Sequence, residues 1–247
     1  MLSDVSVPVK GFIETSFVDW PGKICSVIFL PYCNLRCRYC HNAALVLEPE
    51  NITTVEKNRI VSYLAANRGW IDGVCVSGGE PTLHASLPML LAELRRMGFA
   101  TKLDTNGTRP DVLRMLIQNG LLDYIAMDVK APLDEESYCA VTQSQNMLAA
   151  VKESIQVILA SGIEHEFRCT VLPHFHDPDS IVEIARTLNG AKRLRLQNFN
   201  PGETLDPDFE QMQPYADDLI CNLQQNVDAV LGVQPETNRL WLFSGTA

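Results

Sequence analysis

The chain has 247 residues, 46% of them hydrophobic, and 30 acidic side chains against 20 basic ones give a formal net charge of −10. That balance argues against general nucleic-acid binding, which needs basic surface to neutralise phosphates, and Arg95-Arg96 and Lys192-Arg193 read as solvated helix ends. No run approaches the ~20 apolar residues of a membrane span, the opening Met-Leu-Ser-Asp-Val-Ser has no leader pattern, and eight cysteines in a chain of this length do not make a disulfide scaffold; the expectation is one domain over residues 1–247 in a reducing cytoplasm.

Ile24 to Leu30 reads as the first strand. Thr53-Thr54-Val55-Glu56 has the form of a capping box, predicting a helix with Ile60, Val61 and Leu64 inward that stops near Gly69. A strand follows at residues 73–76. Ser86 is a candidate cap for a helix carrying Leu90, Leu91 and Leu94, closed by Gly98. Next come a strand from Phe99 to Leu103 and a helix opened by Pro110, with Leu113, Leu116 and Ile117, closed by Gly120. Tyr124 to Val129 is a strand, and a longer helix runs from about Asn146 to Ser161. A strand through Val171 leads to a helix opened by Asp177-Pro178, with Ile181, Ile184 and Leu188, closed by Gly190. The last parallel strand lies near Leu194 to Phe199; a helix from Asp217 and a candidate edge strand at Leu240 to Phe243 complete the chain. About six strand-then-helix units predict an α/β fold with a parallel sheet and helices outside.

Polar residues gather where each predicted strand ends: Gly78-Gly79-Glu80, Asp104-Thr105-Asn106, Asp128 with Lys130, and Gln197-Asn198. In βα barrels the carboxyl ends of the strands form the active face. The first strand ends in Cys33-Asn-Leu-Arg-Cys37-Arg-Tyr-Cys40, three thiols in eight residues. A closed structural zinc site wants four ligands, and His41 is the one neighbour that could complete Cys3His. The adjacent side chains of Cys40 and His41 must diverge, however, and closely spaced thiolates on one loop suit three corners of a four-iron cluster better. The fourth iron then stays open for a substrate.

These residues resemble the radical S-adenosylmethionine (radical SAM) superfamily: the cysteine spacing, Tyr39 before the last cysteine, and Gly78-Gly79-Glu80-Pro81 about 40 residues further on. Residues 11–23, Cys40-His41-Asn42, Leu103 to Gly107, Met127 to Lys130 and Phe199 to Asp206 narrow the likeness to the glycyl-radical-enzyme activases. Among these it resembles the short branch of anaerobic ribonucleoside-triphosphate reductase activating proteins. The match spans about residues 11–206, leaving 207–247 as an appended helix and edge strand. One departure is Tyr32, where the family often has glycine.

The resemblance implies a partial, open parallel βα barrel and one 4Fe-4S cluster on Cys33, Cys37 and Cys40. It implies reductive cleavage of S-adenosylmethionine to a 5′-deoxyadenosyl radical, which takes hydrogen from a glycine of a partner enzyme. A flavodoxin- or ferredoxin-type electron donor is expected with it. Tyr39 would offer its backbone to adenine, and Gly78, Gly79 and Glu80 would hold the methionine amine. Lys130 would take the methionine carboxylate. Asp104, Thr105, Met127 and Asp128 match a region that can bind a monovalent cation; Asp128 could instead contact ribose, and Asp104 could simply make an Asx turn.

Arg168 has two open readings, inward to the cofactor or outward to Glu166. His174 and His176 read as solvated loop residues, and Cys25, Cys75 and Cys169 as core. No second cysteine group lies between Asn42 and Val74, so one cluster is expected. A radical SAM enzyme acting on a small molecule and a zinc-stabilised binding module are the rival functions.

Overall fold

Alternation along each strand decides which face of the sheet a residue joins. On β2 (Cys25–Leu30), Ile28 and Leu30 join the large apolar core, while Cys25 and Val27 join a smaller one with Trp20, Cys75, Tyr124 and Ala126. The same division holds on β3 (Gly73–Gly78), β4 (Ala100–Thr105) and β5 (Tyr124–Asp128), while β6 (Glu164–Val171) and β7 (Leu194–Asn198) give their alternate apolar residues to the large core alone. The large core lies between sheet and helices; the small one lines the concave side. The computed structural model describes residues 7–234, so the candidate strand at Leu240 to Phe243 lies outside the described residues.

The sheet runs β1 to β7 in sequence order. Strands β2 to β7 pair in parallel, giving the six expected units. Among the described residues the order ends at β7 rather than returning to β1, so the barrel is open. Between the strands stand α2 (Lys57–Ala66), α3 (Leu87–Arg96), α4 (Pro110–Gln118), α6 (Leu148–Ala160) and α7 (Pro178–Thr187), with α8 (Asp217–Leu231) after β7. At the open end Gln224 of α8 substitutes for a strand: Leu196 N donates to its Oε1 at 2.9 Å, and its Nε2 donates to Leu194 O at 2.8 Å.

Four details differ from the sequence expectations. Gly11–Ser16 forms an extra strand, β1, antiparallel to β2 with Phe12 opposite Ile28; its half-exposed residues lack the apolar run that marks the interior strands. The Thr53–Glu56 capping box does not form. Val55 N donates to Val9 O and Lys10 Nζ to Thr54 Oγ1, so this stretch is extended and α2 starts only at Lys57. Ser86 precedes α3 without a side-chain cap, and Pro88 occupies the first turn instead. Two short helices were not anticipated, α1 (Ala43–Leu47) and α5 (Glu135–Thr142), the second capped by Asp134 accepting from Ser137 N.

Candidate functional site

The turns after β2 and β3 are joined through their backbones. Gly79 N donates to Leu30 O at 2.9 Å, and Glu80 N donates to Tyr32 O at 2.7 Å. A Cβ on Gly78 would come within 2.2 Å of Leu30 O, and one on Gly79 within 2.0 Å of Tyr32 O. Glycine is therefore required for this approach. Asn42, just past the last cysteine, donates to Gly78 O at 2.9 Å. The cysteine loop itself is tied by Cys40 N to Cys37 O, by Arg36 N to Thr142 O at the end of α5, and by Arg36 Nη1 to Cys33 O. On its other side, Leu205 N donates to Cys40 O and Asp206 N to Arg38 O, while Arg38 pairs with the Asp206 carboxylate. The Phe199 to Asp206 stretch is thereby strapped onto the cysteine loop.

Cys33, Cys37 and Cys40 line one cavity with Gly78 and Gly79. Its volume, counted with the solvent-open space at its mouth, is about 1170 Å³. Burial pushes all three thiols up, Cys37 to about 12. Left alone they stay protonated, and only a bound cation or cluster makes them thiolates. Three soft donors on one wall of a large cavity, with no fourth beside them among the described residues, fit an iron–sulfur cluster that keeps one iron open. His41 is not that fourth ligand: its Nε2 bonds Asn200 O at 2.7 Å and its ring stacks on Phe199. Among the described residues no three His, Cys, Asp or Glu side chains converge on a single ion.

The opposite wall is a ladder of charges on alternate strand positions. Arg168 on β6 donates from Nε to Asp128 at 2.9 Å and from Nη1 to Asp104 at 3.2 Å. Lys102, two residues before Asp104, meets its other oxygen at 2.5 Å. Lys130 meets Asp128 at 3.2 Å and lies 5.8 Å from the Tyr39 ring centroid. Burial alone would raise Asp104, but Arg168 and Lys102 outweigh it and hold it down at about 2. Burial opposes charge on Lys102, Lys130 and Arg168 as well, yet Asp104 beside Lys102 and Arg168, and Tyr39 and Asp128 beside Lys130, keep each raised. Every member of the ladder is thus charged at neutral pH.

This geometry resolves the two readings of Arg168: it points inward. It also revises three others. The Glu80 carboxylate is fully buried and accepts from Thr82 N, Thr82 Oγ1, Thr105 Oγ1 and Asn106 N. It ties the ends of β3 and β4 together and offers the cavity no free face, so only the glycines of that motif line it. Met127 falls on the outer face of β5 and packs its side chain in the large core, which leaves its backbone carbonyl as the group to face a cation beside Asp104. Asp104 is paired with lysine and arginine rather than closing an Asx turn. His176 is buried, not solvated: Leu172 N donates to its Nδ1 and its Nε2 donates to Lys130 O at 3.0 Å, which fixes the backbone beside Lys130. His174 is exposed, as expected, and Cys25, Cys75 and Cys169 are buried. Sequence reading missed Lys102 and Asp19, which lines the cavity. The two-residue spacing of Lys102 and Asp104 on one strand face was the available signal.

A family model for the radical SAM superfamily matches residues 27–188. A protein of Methanocaldococcus jannaschii, provisionally named a glycyl-radical enzyme activating enzyme, is 34% identical over 208 residues, covering 83% of this chain and 85% of its own. One of Haemophilus influenzae with the same provisional name is 37% identical over 218 residues, covering 79% and 82%. The pyruvate formate-lyase-activating enzyme of Staphylococcus aureus is 34% identical over 139 residues, 52% of this chain and 55% of its own. In fold the chain is similar to Streptococcus suis SuiB bound to S-adenosylmethionine, with a TM-score of 0.59 at 16% identity over 83% of this chain and 49% of that one. TYW1 with a lysine-pyruvate adduct gives 0.58 at 16%, over 83% and 73%. Among the described residues no helix is long and apolar enough to cross a membrane. With its thiols, glycine turn and open sheet arranged in this way, the chain belongs to the radical SAM superfamily and, by its curated relatives, to the glycyl-radical enzyme activating group within it.

Proposed function

We propose that this protein cleaves S-adenosylmethionine reductively and installs a glycyl radical on a partner enzyme, with anaerobic ribonucleoside-triphosphate reductase as that partner. The observation that carries the reading is the convergence of Cys33, Cys37 and Cys40 with the Gly78-Gly79 turn on one cavity. When bound there, a 4Fe-4S cluster supplies a low-potential electron and an open iron for the methionyl amine and carboxylate. Every other task falls to the chain. The Gly78-Gly79 backbone holds the amine, Lys130 takes the carboxylate, and the backbone at Tyr39 meets adenine. Asp128 faces ribose, held in place by Arg168, which Asp104 anchors in turn. A monovalent cation beside Asp104, Thr105, Met127 and Asp128 would share those carboxylates with Arg168. A flavodoxin- or ferredoxin-type protein supplies electrons.

The choice of partner is supported by the likeness of Phe199 to Asp206 to the short reductase-activating branch, and by the attachment of that stretch to the cysteine loop. Partner specificity and cluster support would then share one segment. Anaerobic reconstitution with iron and sulfide, then dithionite and S-adenosylmethionine, should release 5′-deoxyadenosine. Adding the reductase should give a glycyl-radical doublet in electron paramagnetic resonance, and adding pyruvate formate-lyase should not. Cys37→Ala should abolish cleavage. Zinc in place of iron, or full cleavage by Cys37→Ala, overturns the reading; a doublet on the lyase alone reassigns the partner.

A further inference from the structure

Asn106 follows the last residue of β4, and nothing above assigns its side chain a task. It is 5% exposed and sits in a closed ring of hydrogen bonds. Asn34 Nδ2 donates to Thr108 Oγ1 at 2.8 Å, Thr108 Oγ1 donates to Asn106 Oδ1 at 2.7 Å, and Asn106 Nδ2 donates to Asn34 Oδ1 at 3.0 Å. The direction of this ring is not free. Thr108 N, which can only donate, also points at Asn106 Oδ1 at 3.0 Å. The carbonyl end of the amide must therefore face Thr108, and the NH2 end must face the cysteine loop. One of its hydrogens serves Asn34; the other is directed at Cys33 Sγ, 3.7 Å away. The Asn106 backbone is fixed as well, since its N donates to the buried Glu80 carboxylate at 2.6 Å.

Cys33 Sγ thus receives two N–H groups, this one and the backbone N–H of Leu35 at 3.4 Å. A donor aimed at a ligating sulfur stabilises negative charge on it, and a cluster carries one more negative charge when reduced. Such a donor raises the reduction potential. We propose that Asn106 is a positioning residue that tunes the potential of the cluster at Cys33, its side-chain amide favouring the reduced form. The inference rests on the cluster reading above. It gives Thr108 the work of orienting the amide, and it gives Glu80 a reason to be buried: its carboxylate anchors the backbone from which the donor projects.

The test is an anaerobic redox titration of the reconstituted protein at matched iron and sulfide content, following the reduced cluster by electron paramagnetic resonance. Asn106→Ala should move the midpoint to a more negative value. Poised at the unsubstituted protein's midpoint, its reduced-to-oxidised ratio should fall about three- to tenfold, tenfold being about 59 mV for a one-electron couple. Asn34→Ala removes the other partner of the same amide and should move the ratio much less. Should Asn106→Ala fail to take up a cluster, the unsubstituted protein labelled with 15N only in asparagine side-chain amides should show a nitrogen coupling to the reduced cluster. An unchanged midpoint in Asn106→Ala, equal shifts in both variants, or absence of that coupling beside a normal cluster signal overturns the inference alone. Absence of any cluster signal in the unsubstituted protein overturns the functional reading on which it stands.

Discussion

The two walls of the cavity are built on different principles. The cysteine wall is a loop held by main-chain hydrogen bonds, with thiols that are neutral until something positively charged arrives. The wall across from it is made of strand side chains that are charged before any ligand binds. The first is shaped by backbone and becomes functional through what it acquires. The second is preorganised, and its charges are held in place by one another. Substituting a thiol should therefore cost chemistry, whereas substituting a member of the ladder should cost folding.

The strongest way to break that comparison is Arg168→Met. The change removes the bridge between two carboxylates and leaves each with one lysine, Asp104 with Lys102 and Asp128 with Lys130. Loss of a hydrogen bond to a charged group typically costs about 1.5–3 kcal/mol, and urea unfolding of the metal-free protein should show a loss of that order. Cys37→Ala in the same metal-free assay should stay within about 1 kcal/mol; equal losses would erase the distinction between the walls.

A smaller effect comes from His176 behind Lys130. Burial lowers its pKa from 6.5 to about 4. The unfolded chain takes up this proton first, so stability should fall as pH drops below 6.5 and keep falling until the native state protonates near 4. Between pH 7 and pH 5 the contribution is about 2 kcal/mol. His176→Gln should be weaker at pH 7 but flatter with pH, and an equally steep profile would remove the assignment.

The smallest effect belongs to Tyr32, whose φ of 65° is a left-handed conformation in a bulky residue. Tyr32→Gly should relieve strain of about 1 kcal/mol and raise the melting temperature slightly. A fall would show that the ring's contact with His84 outweighs the backbone cost.

The cysteine wall was largely legible from sequence, because backbone-built sites need fixed spacings and glycines at fixed points. Cys33, Cys37, Cys40, Gly78 and Gly79 all meet where the pattern put them. The six parallel strands were legible because the face each turns to the helices is mainly apolar. The ladder was only half visible. Asp104, Asp128 and Lys130 stood out at strand ends, but Lys102 lies mid-strand, and only tertiary structure shows that its charge has a partner. Glu80 misled because a carboxylate in a glycine-rich turn suggests a ligand contact, while the fold uses it to join two strand ends. The edge strand β1 was hidden by a bulge between Ile13 and Ser16 that breaks its alternation.

Gln224 bears on why such a sheet can stop short of closure. A half-finished barrel displays a row of amide and carbonyl groups to which any extended peptide could add, including one from a neighbouring molecule. Here one helix lends a single carboxamide to the last strand, occupying Leu196 N and Leu194 O. Those two groups are then no longer open to an added strand, which blunts the edge as a template for fibrils.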